Sequence, residues 1–312
     1  MSENGGTMSS PVERYLAELK DLSKPLLTSK LASLSDPFPE EAEVFIRGWP
    51  DIDVERRRQI VRRLAELIED NLDLDFDVIF RACLSDADGE VRAQAAEGLW
   101  GSEERSLIDP LLRLLIEDEE HAVRAAAADA LGKFALLAEL GELPESDAHR
   151  VEEALLSAFE KGDEQLYVRC RVLEAISPLS KPHIEDMIRR AYRSDSLELQ
   201  GSALYAMGRN CNPGWLPILL KELRSPNPQL RFEAVRACAE LEAEEAIPHL
   251  LELTRDNDQE VQLSAIGALG QIGGGEAKEG LQECLERSED IIREAAQEAL
   301  EEIGFWEDPL SL

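Results

Sequence analysis

The chain has 312 residues, 44% of them apolar and only 5% aromatic, which allows a folded core built mainly from Leu and Ala. Lys and Arg number 33 against 65 Asp and Glu, a formal charge of −32; this repels phosphate backbones and anionic lipid and speaks against a nucleic-acid or membrane partner. No stretch approaches the roughly 18 uncharged apolar residues of a membrane span.

The start, MSENGGTMSS, lacks the basic and apolar regions of a secretory signal. Cys83, Cys170, Cys211, Cys238 and Cys284 form no C-x-x-C pair and read as reduced, mostly core thiols. A cytoplasmic location is expected. Residues 1–10 are rich in Gly, Ser and Asn and are expected to be disordered. Residues 11–72 read as irregular N-terminal helices and a cap. PVERYLAELKDL has Pro11 in its first turn and is closed by Pro25, a further run ends near Asp36, and helices follow near 38–49 and 52–70. From 73 to 312 helices alternate with short turns as a repeat array with a C-terminal cap, and no segment reads as a strand.

The repeat is plainest at 215–275, where Pro217, Leu230, Ala234 and Ala237 recur 31 residues later as Pro248, Val261, Ala265 and Ala268. A fixed period of this size marks a solenoid, whose units bury their apolar faces against one another. The second helix of each unit has a first anchor at Val91, Val123, Val168, Leu199, Leu230, Val261 and Ile292. Four residues on stand Ala95, Ala127, Val172, Ala203, Ala234, Ala265 and Ala296, and seven on Gly98, Ala130, Ala175, Ala206, Ala237, Ala268 and Ala299. Eight on come Leu99, Leu131, Ile176, Met207, Cys238, Leu269 and Leu300. These offsets share one helical face, and the small residues at four and seven let a neighbouring helix approach.

Successive anchors lie 32, 45, 31, 31, 31 and 31 residues apart. The excess falls at 135–148 and reads most simply as a longer helix and turn, with a binding loop as the alternative. Glu294, Glu298, Glu301 and Glu302 suit a last helix that faces water, and Phe305 and Trp306 are expected to fold back onto that end.

Asp86 precedes Arg92 by six residues, as Asp118 precedes Arg124 and Asp163 precedes Arg169; Pro110 and Pro248 stand eight before Asp118 and Asp256. The pattern resembles the HEAT repeat, in which a proline bends the first helix and an Asp–Arg pair links successive units. The V-R-x-x-A-x-x-A-L-G run at 123–132 and the short period resemble the HEAT-like subtype named after phycobilisome lyases. The resemblance covers 75–303 well and 38–72 loosely. It implies an all-α fold, a right-handed α-α superhelix of about eight two-helix units, with second helices lining a concave surface. An Arg fork can bond groups of its own and the adjacent turn, so the departures matter. Gln200 and Gln262 replace the Arg, Ser194 and Ser225 the Asp, and Arg287 takes the last acidic position. The ladder is therefore expected to break in the C-terminal half, leaving Arg231 and Arg293 without their usual partners.

Catalytic signals are thin. His121, His149, His183 and His249 form neither H-E-x-x-H nor a helical pair, and the His-Glu dipeptides that hold iron in HEAT-like hydroxylases are missing. Gly273, Gly274 and Gly275 read as a helix-ending turn. Asp86 with Asp88, and Asp256 with Asp258, lack the spacing of a calcium loop and suit turn and N-cap duty. No cofactor or metal is expected. Arg56, Arg57, Arg58, Arg62 and Arg63 form one basic cluster: a solvated face paired with Glu66, Glu69 and Asp70, or a dock for an acidic partner or phosphate.

On the inner surface that the resemblance implies, positions 3, 6 and 10 after each anchor share a face. Its ends are acidic, whereas its middle carries Arg171, Ser202, Tyr205, Arg209, Arg236 and Gln271. Tyr and Arg are the residues that dominate binding hot spots. The expectation is a non-catalytic scaffold or adaptor that binds a protein or peptide through these six. The alternative, by resemblance, is a bilin lyase-like subunit handling a tetrapyrrole, with Arg for its propionates and Tyr for its rings.

Overall fold

The computed structural model describes residues 11–71 and 73–307. The disorder expected of residues 1–10 lies outside them, as do the side chains of Phe305 and Trp306. Every regular element among the described residues is a helix, and the chain divides into two compact units, residues 1–175 and 176–312. The first holds α1 (Pro11–Leu19), α2 (Thr28–Ala32), α3 (Pro39–Gly48), α4 (Val54–Asp70), α5 (Asp77–Cys83), α6 (Gly89–Gly98), α7 (Ile108–Glu117), α8 (His121–Glu139), α9 (Glu145–Glu160) and, across the boundary, α10 (Leu166–Ile176). The second holds α11 (Pro182–Tyr192), α12 (Leu197–Arg209), α13 (Leu216–Glu222), α14 (Pro228–Glu240), α15 (Ile247–Leu253), α16 (Gln259–Ile272), α17 (Gly275–Leu285) and α18 (Asp290–Glu307). Within the units α5 packs on α6, α7 on α8, α11 on α12, α13 on α14, α15 on α16 and α17 on α18, the consecutive helix pairs of the all-α repeat that the period implies.

The registered anchors are the core. Val91, Val123, Val168 and Val261 are fully buried, as are the alanines four residues after three of them. In the second unit α12, α14, α16 and α18 pack side by side as one layer, and glycine sets how near they come. A Cβ on Gly208 of α12 would lie 2.8 Å from Ala237 Cα of α14, and one on Gly270 of α16 2.9 Å from Ala299 Cα of α18. Gly132 of α8 meets Ala175 of α10 in the same way, at 3.2 Å. The residue nine after an anchor thus packs against the small residue seven after the next.

Each repeat proline marks a change of helix type. Short 3-10 turns at Pro213–Trp215 and Glu244–Ala246 run into α13 and α15, whose second residues are Pro217 and Pro248. Pro lacks the amide that such a first turn would leave unbonded, so the bend costs little there. The long interval at 135–148 is a longer helix and turn: α8 runs 19 residues to Glu139, and α9 starts at Glu145. Gly273 (φ 71°) and Gly274 (φ 90°) end α16 in backbone regions that favour glycine.

The Arg ladder departs from its expected course. A ladder Arg such as Arg92 or Arg231 donates to the carbonyl six residues before it, that of Asp86 or Ser225, in both cases at 2.8 Å. Its fork reaches the acid of the following pair: Arg92 holds Asp118 at 2.8 and 2.9 Å, and Arg231 holds Asp256 at 2.8 and 2.6 Å. Arg231 therefore keeps its partner, contrary to expectation, because Ser225 only has to offer a carbonyl. Gln200 and Gln262 preserve the carbonyl bond alone, to Ser194 and Asp256. Arg293 bonds the Arg287 carbonyl at 3.0 Å and pairs within its own helix with Asp290. The acid that Arg124 grips is Glu164 rather than Asp163.

Candidate partner-binding face

The exposed side of the α12–α14–α16 layer is built by helical spacing. Tyr205 and Arg209 stand one turn apart on α12, as do Phe232 and Arg236 on α14. The Arg236 guanidinium lies 5.4 Å from the Tyr205 ring centre and 5.7 Å from that of Phe232. A cation within about 6 Å of two aromatic ring centres is attracted by their quadrupoles, which favours this placement of the guanidinium. Its Nη1 is also 3.6 Å from Glu233, and Arg209 reaches Glu240 at 3.7 Å. Both arginines are thus positioned by neighbours on the same face while remaining partly open to solvent.

A groove of about 610 Å³ runs between α14 and α16, walled by Phe232, Arg236, Glu240, Leu263 and Gln271. Gln271 donates from Nε2 to the Ala239 carbonyl at 3.2 Å, and both residues line the groove. Gly267 widens the floor, since a Cβ there would meet nothing within 4 Å. A second groove, about 430 Å³, continues between α16 and α18 and shares Leu263 and Gly267. Its α18 wall carries Glu294, Glu298 and Glu302.

Of the six residues singled out in the sequence, Tyr205, Arg209, Arg236 and Gln271 lie on this face. Ser202 is only 6% exposed and sits beneath it. Arg171 belongs to the first unit, where its Nη2 donates to Glu174 at 2.9 Å and its guanidinium lies 5.8 Å from the Tyr167 ring centre. It stands in an acidic setting there. Burial, with Glu174 and Glu97 adding to it and Arg171 opposing, pushes the Asp129 carboxyl up to about 7. Sequence reasoning missed Phe232 and Leu263. Both stand two residues after an anchor, where earlier units carry Ala93, Ala125, Cys170 and Gly201. The jump in size at that one offset was the available signal.

Among the described residues, no group of three or more His, Cys, Asp or Glu converges in a metal-binding arrangement. No described helix is long and apolar enough to cross a membrane.

The family profile for HEAT repeats matches residues 77–151 and 216–301, together more than half of the chain. The chain belongs to the HEAT-repeat family. No curated protein matches it significantly. Among solved structures, this HEAT-repeat chain is similar to yeast importin-β at 16% identity, with 94% of this chain and 41% of that chain covered and a TM-score of 0.46. It is similar to the complex of two phycocyanin lyase subunits from Nostoc at 20% identity, covering 73% and 94%, with a TM-score of 0.46. Human deoxyhypusine hydroxylase is a third likeness, at 17% identity, 94% and 97% covered, and a TM-score of 0.37.

Proposed function

We propose that this HEAT-repeat chain is a non-catalytic scaffold that binds a protein or peptide on the exposed side of α12, α14 and α16. The observation that carries the reading is the Tyr205–Arg236–Phe232 stack bordering the groove between α14 and α16. Aromatic and Arg side chains fixed beside an apolar groove lose little freedom on binding, which is what concentrates affinity at a few positions. Phe232 and Leu263 give the groove an apolar wall, and Arg236, Glu240 and Gln271 supply polar contacts along it.

The test is affinity capture by the full chain from its native cells, comparing wild type with Tyr205→Ala/Arg209→Ala. A bound protein lost from the variant, with helical circular dichroism and melting temperature unchanged, supports the reading. Equal recovery by both rejects this surface. Incubating the same protein with biliverdin addresses the tetrapyrrole alternative, which predicts a shifted absorbance band that the scaffold reading does not.

A further inference from the structure

The basic cluster on α4 is not the uniformly solvated face that its sequence suggests. Four of its arginines have carboxylate partners: Arg57 with Asp86 at 2.8 Å, Arg58 with Asp88 at 2.6 Å, Arg62 with Glu90 at 2.8 Å, and Arg63 with Glu66. Three of those partners lie on the α5–α6 turn or the start of α6, not on α4 itself as expected. Arg56 differs. It is 5% exposed, the only buried Lys or Arg among the described residues, and no described carboxylate pairs with it. Its Nη2 donates to the carbonyls of Asp21 (3.3 Å) and Lys24 (2.8 Å), and its buried Nε has no acceptor. The Asp21 carboxylate feels the Arg56 charge from a distance but bonds Ser23, so the buried guanidinium, held by neutral carbonyls, has no carboxylate bonded to it, a costly state.

Arg56 is not sealed in the core. It lines a cavity of about 610 Å³ between α4 and the 22–26 loop, together with Lys24, Gln59, Arg62 and Arg63. Four cations and one carboxylate, Glu66, line it; Arg63 pairs with Glu66, whereas Arg62 and Lys24 pair with Glu90 and Asp21 outside the lining, at 2.8 and 3.8 Å. Leu22, Pro25 and Leu26 form the loop side. The geometry points to a binding site for a phosphate monoester carried on a small apolar group. Arg56 supplies a buried guanidinium that no carboxylate bonds, with a free Nε; Arg62, Arg63 and Gln59 supply further donors, and the loop side receives the organic part. Guanidinium forks match phosphate oxygens in pairs, and several donors in one cavity suit an ion with three free oxygens. Within a chain of charge −32 this cationic hollow is selective by contrast with its surroundings.

The full-length protein is titrated calorimetrically with phenyl phosphate, inorganic phosphate and phenol. Saturable binding of one phenyl phosphate per chain is expected, with none of phenol. Inorganic phosphate binding more weakly assigns the site to a monoester, whereas equal affinity assigns it to free phosphate and removes the apolar part of the proposal. Arg56→Gln should weaken binding at least about tenfold. Because Arg56 also holds the 21–24 loop, Arg62→Gln/Arg63→Gln is the second variant: it leaves those carbonyl bonds in place and should also weaken binding about tenfold. Arg255→Gln, an equal loss of charge per site in the second unit, should leave binding unchanged. The absence of saturable binding, or an equal loss with Arg255→Gln, overturns the proposal.

Discussion

Arg231 joins two helix pairs through separate halves of one side chain, and the halves can be removed separately. Nη1 bonds the Ser225 carbonyl, while Nε and Nη2 grip Asp256, whose carboxyl is largely buried. Burial alone would raise the Asp256 pKa; the fork, two backbone amides and the nearby positive charge outweigh it and hold the carboxyl below its ordinary range. A depressed carboxylate adds stability above its unfolded pKa and loses it as pH falls through the folded one. Arg231→Ala should therefore cost about 2–4 kcal/mol at neutral pH, shrinking toward acid, as read by urea unfolding at several pH values. Arg231→Gln should restore about 1 kcal/mol of this by remaking the carbonyl bond, as Gln200 and Gln262 do.

Asp129 runs the other way. Its carboxyl is raised to about 7 chiefly by burial, so its contribution is most favourable below the unfolded pKa and is lost as pH rises toward 7. Asp129→Asn should stabilise the chain by roughly 1–3 kcal/mol at pH 8 and by almost nothing at pH 4. A gain of the same size at both pH values would show that packing, not charge, is the cause.

Two glycines of one helix separate packing from propensity at the scale of the element. Gly270 of α16 is pressed against Ala299, whereas Gly267 faces open space three residues earlier. Gly270→Ala should destabilise by about 1–3 kcal/mol through overpacking. Gly267→Ala should stabilise by up to about 1 kcal/mol through helix propensity. Thermal melts of the two variants moving in the same direction would contradict this.

The same element shows how far sequence reasoning reached. Helices, anchors and the small residues between them were legible because burial imposes one period on every unit. The fate of Arg231 was not, because Ser225 stands where its own unit should carry an acid, whereas the acid it holds, Asp256, lies 25 residues on in the next pair. Phe232 and Leu263 escaped for a related reason. They stand at the border of core and surface, where helical periodicity alone assigns no clear role. Ser202 shares the chosen helical offset yet lies buried, since close helix packing covers a position that an isolated helix would expose.

At the scale of the whole molecule, each unit carries a distinct local departure from the overall charge of −32. The first has the cationic hollow around Arg56, the second the arginine–aromatic stack beside its groove. Long acidic surfaces keep a chain soluble and suppress non-specific association with anions. Against that background, fixed aromatic and cationic groups are where selective contacts can form. The most direct test of the proposed face is hydroxyl-radical footprinting of the full chain with and without its captured partner. The account predicts protection concentrated at Tyr205, Phe232 and Leu263, with the exposed Trp100 of the first unit unchanged. Protection elsewhere, with these three side chains as reactive in the complex as in the free chain, would contradict it.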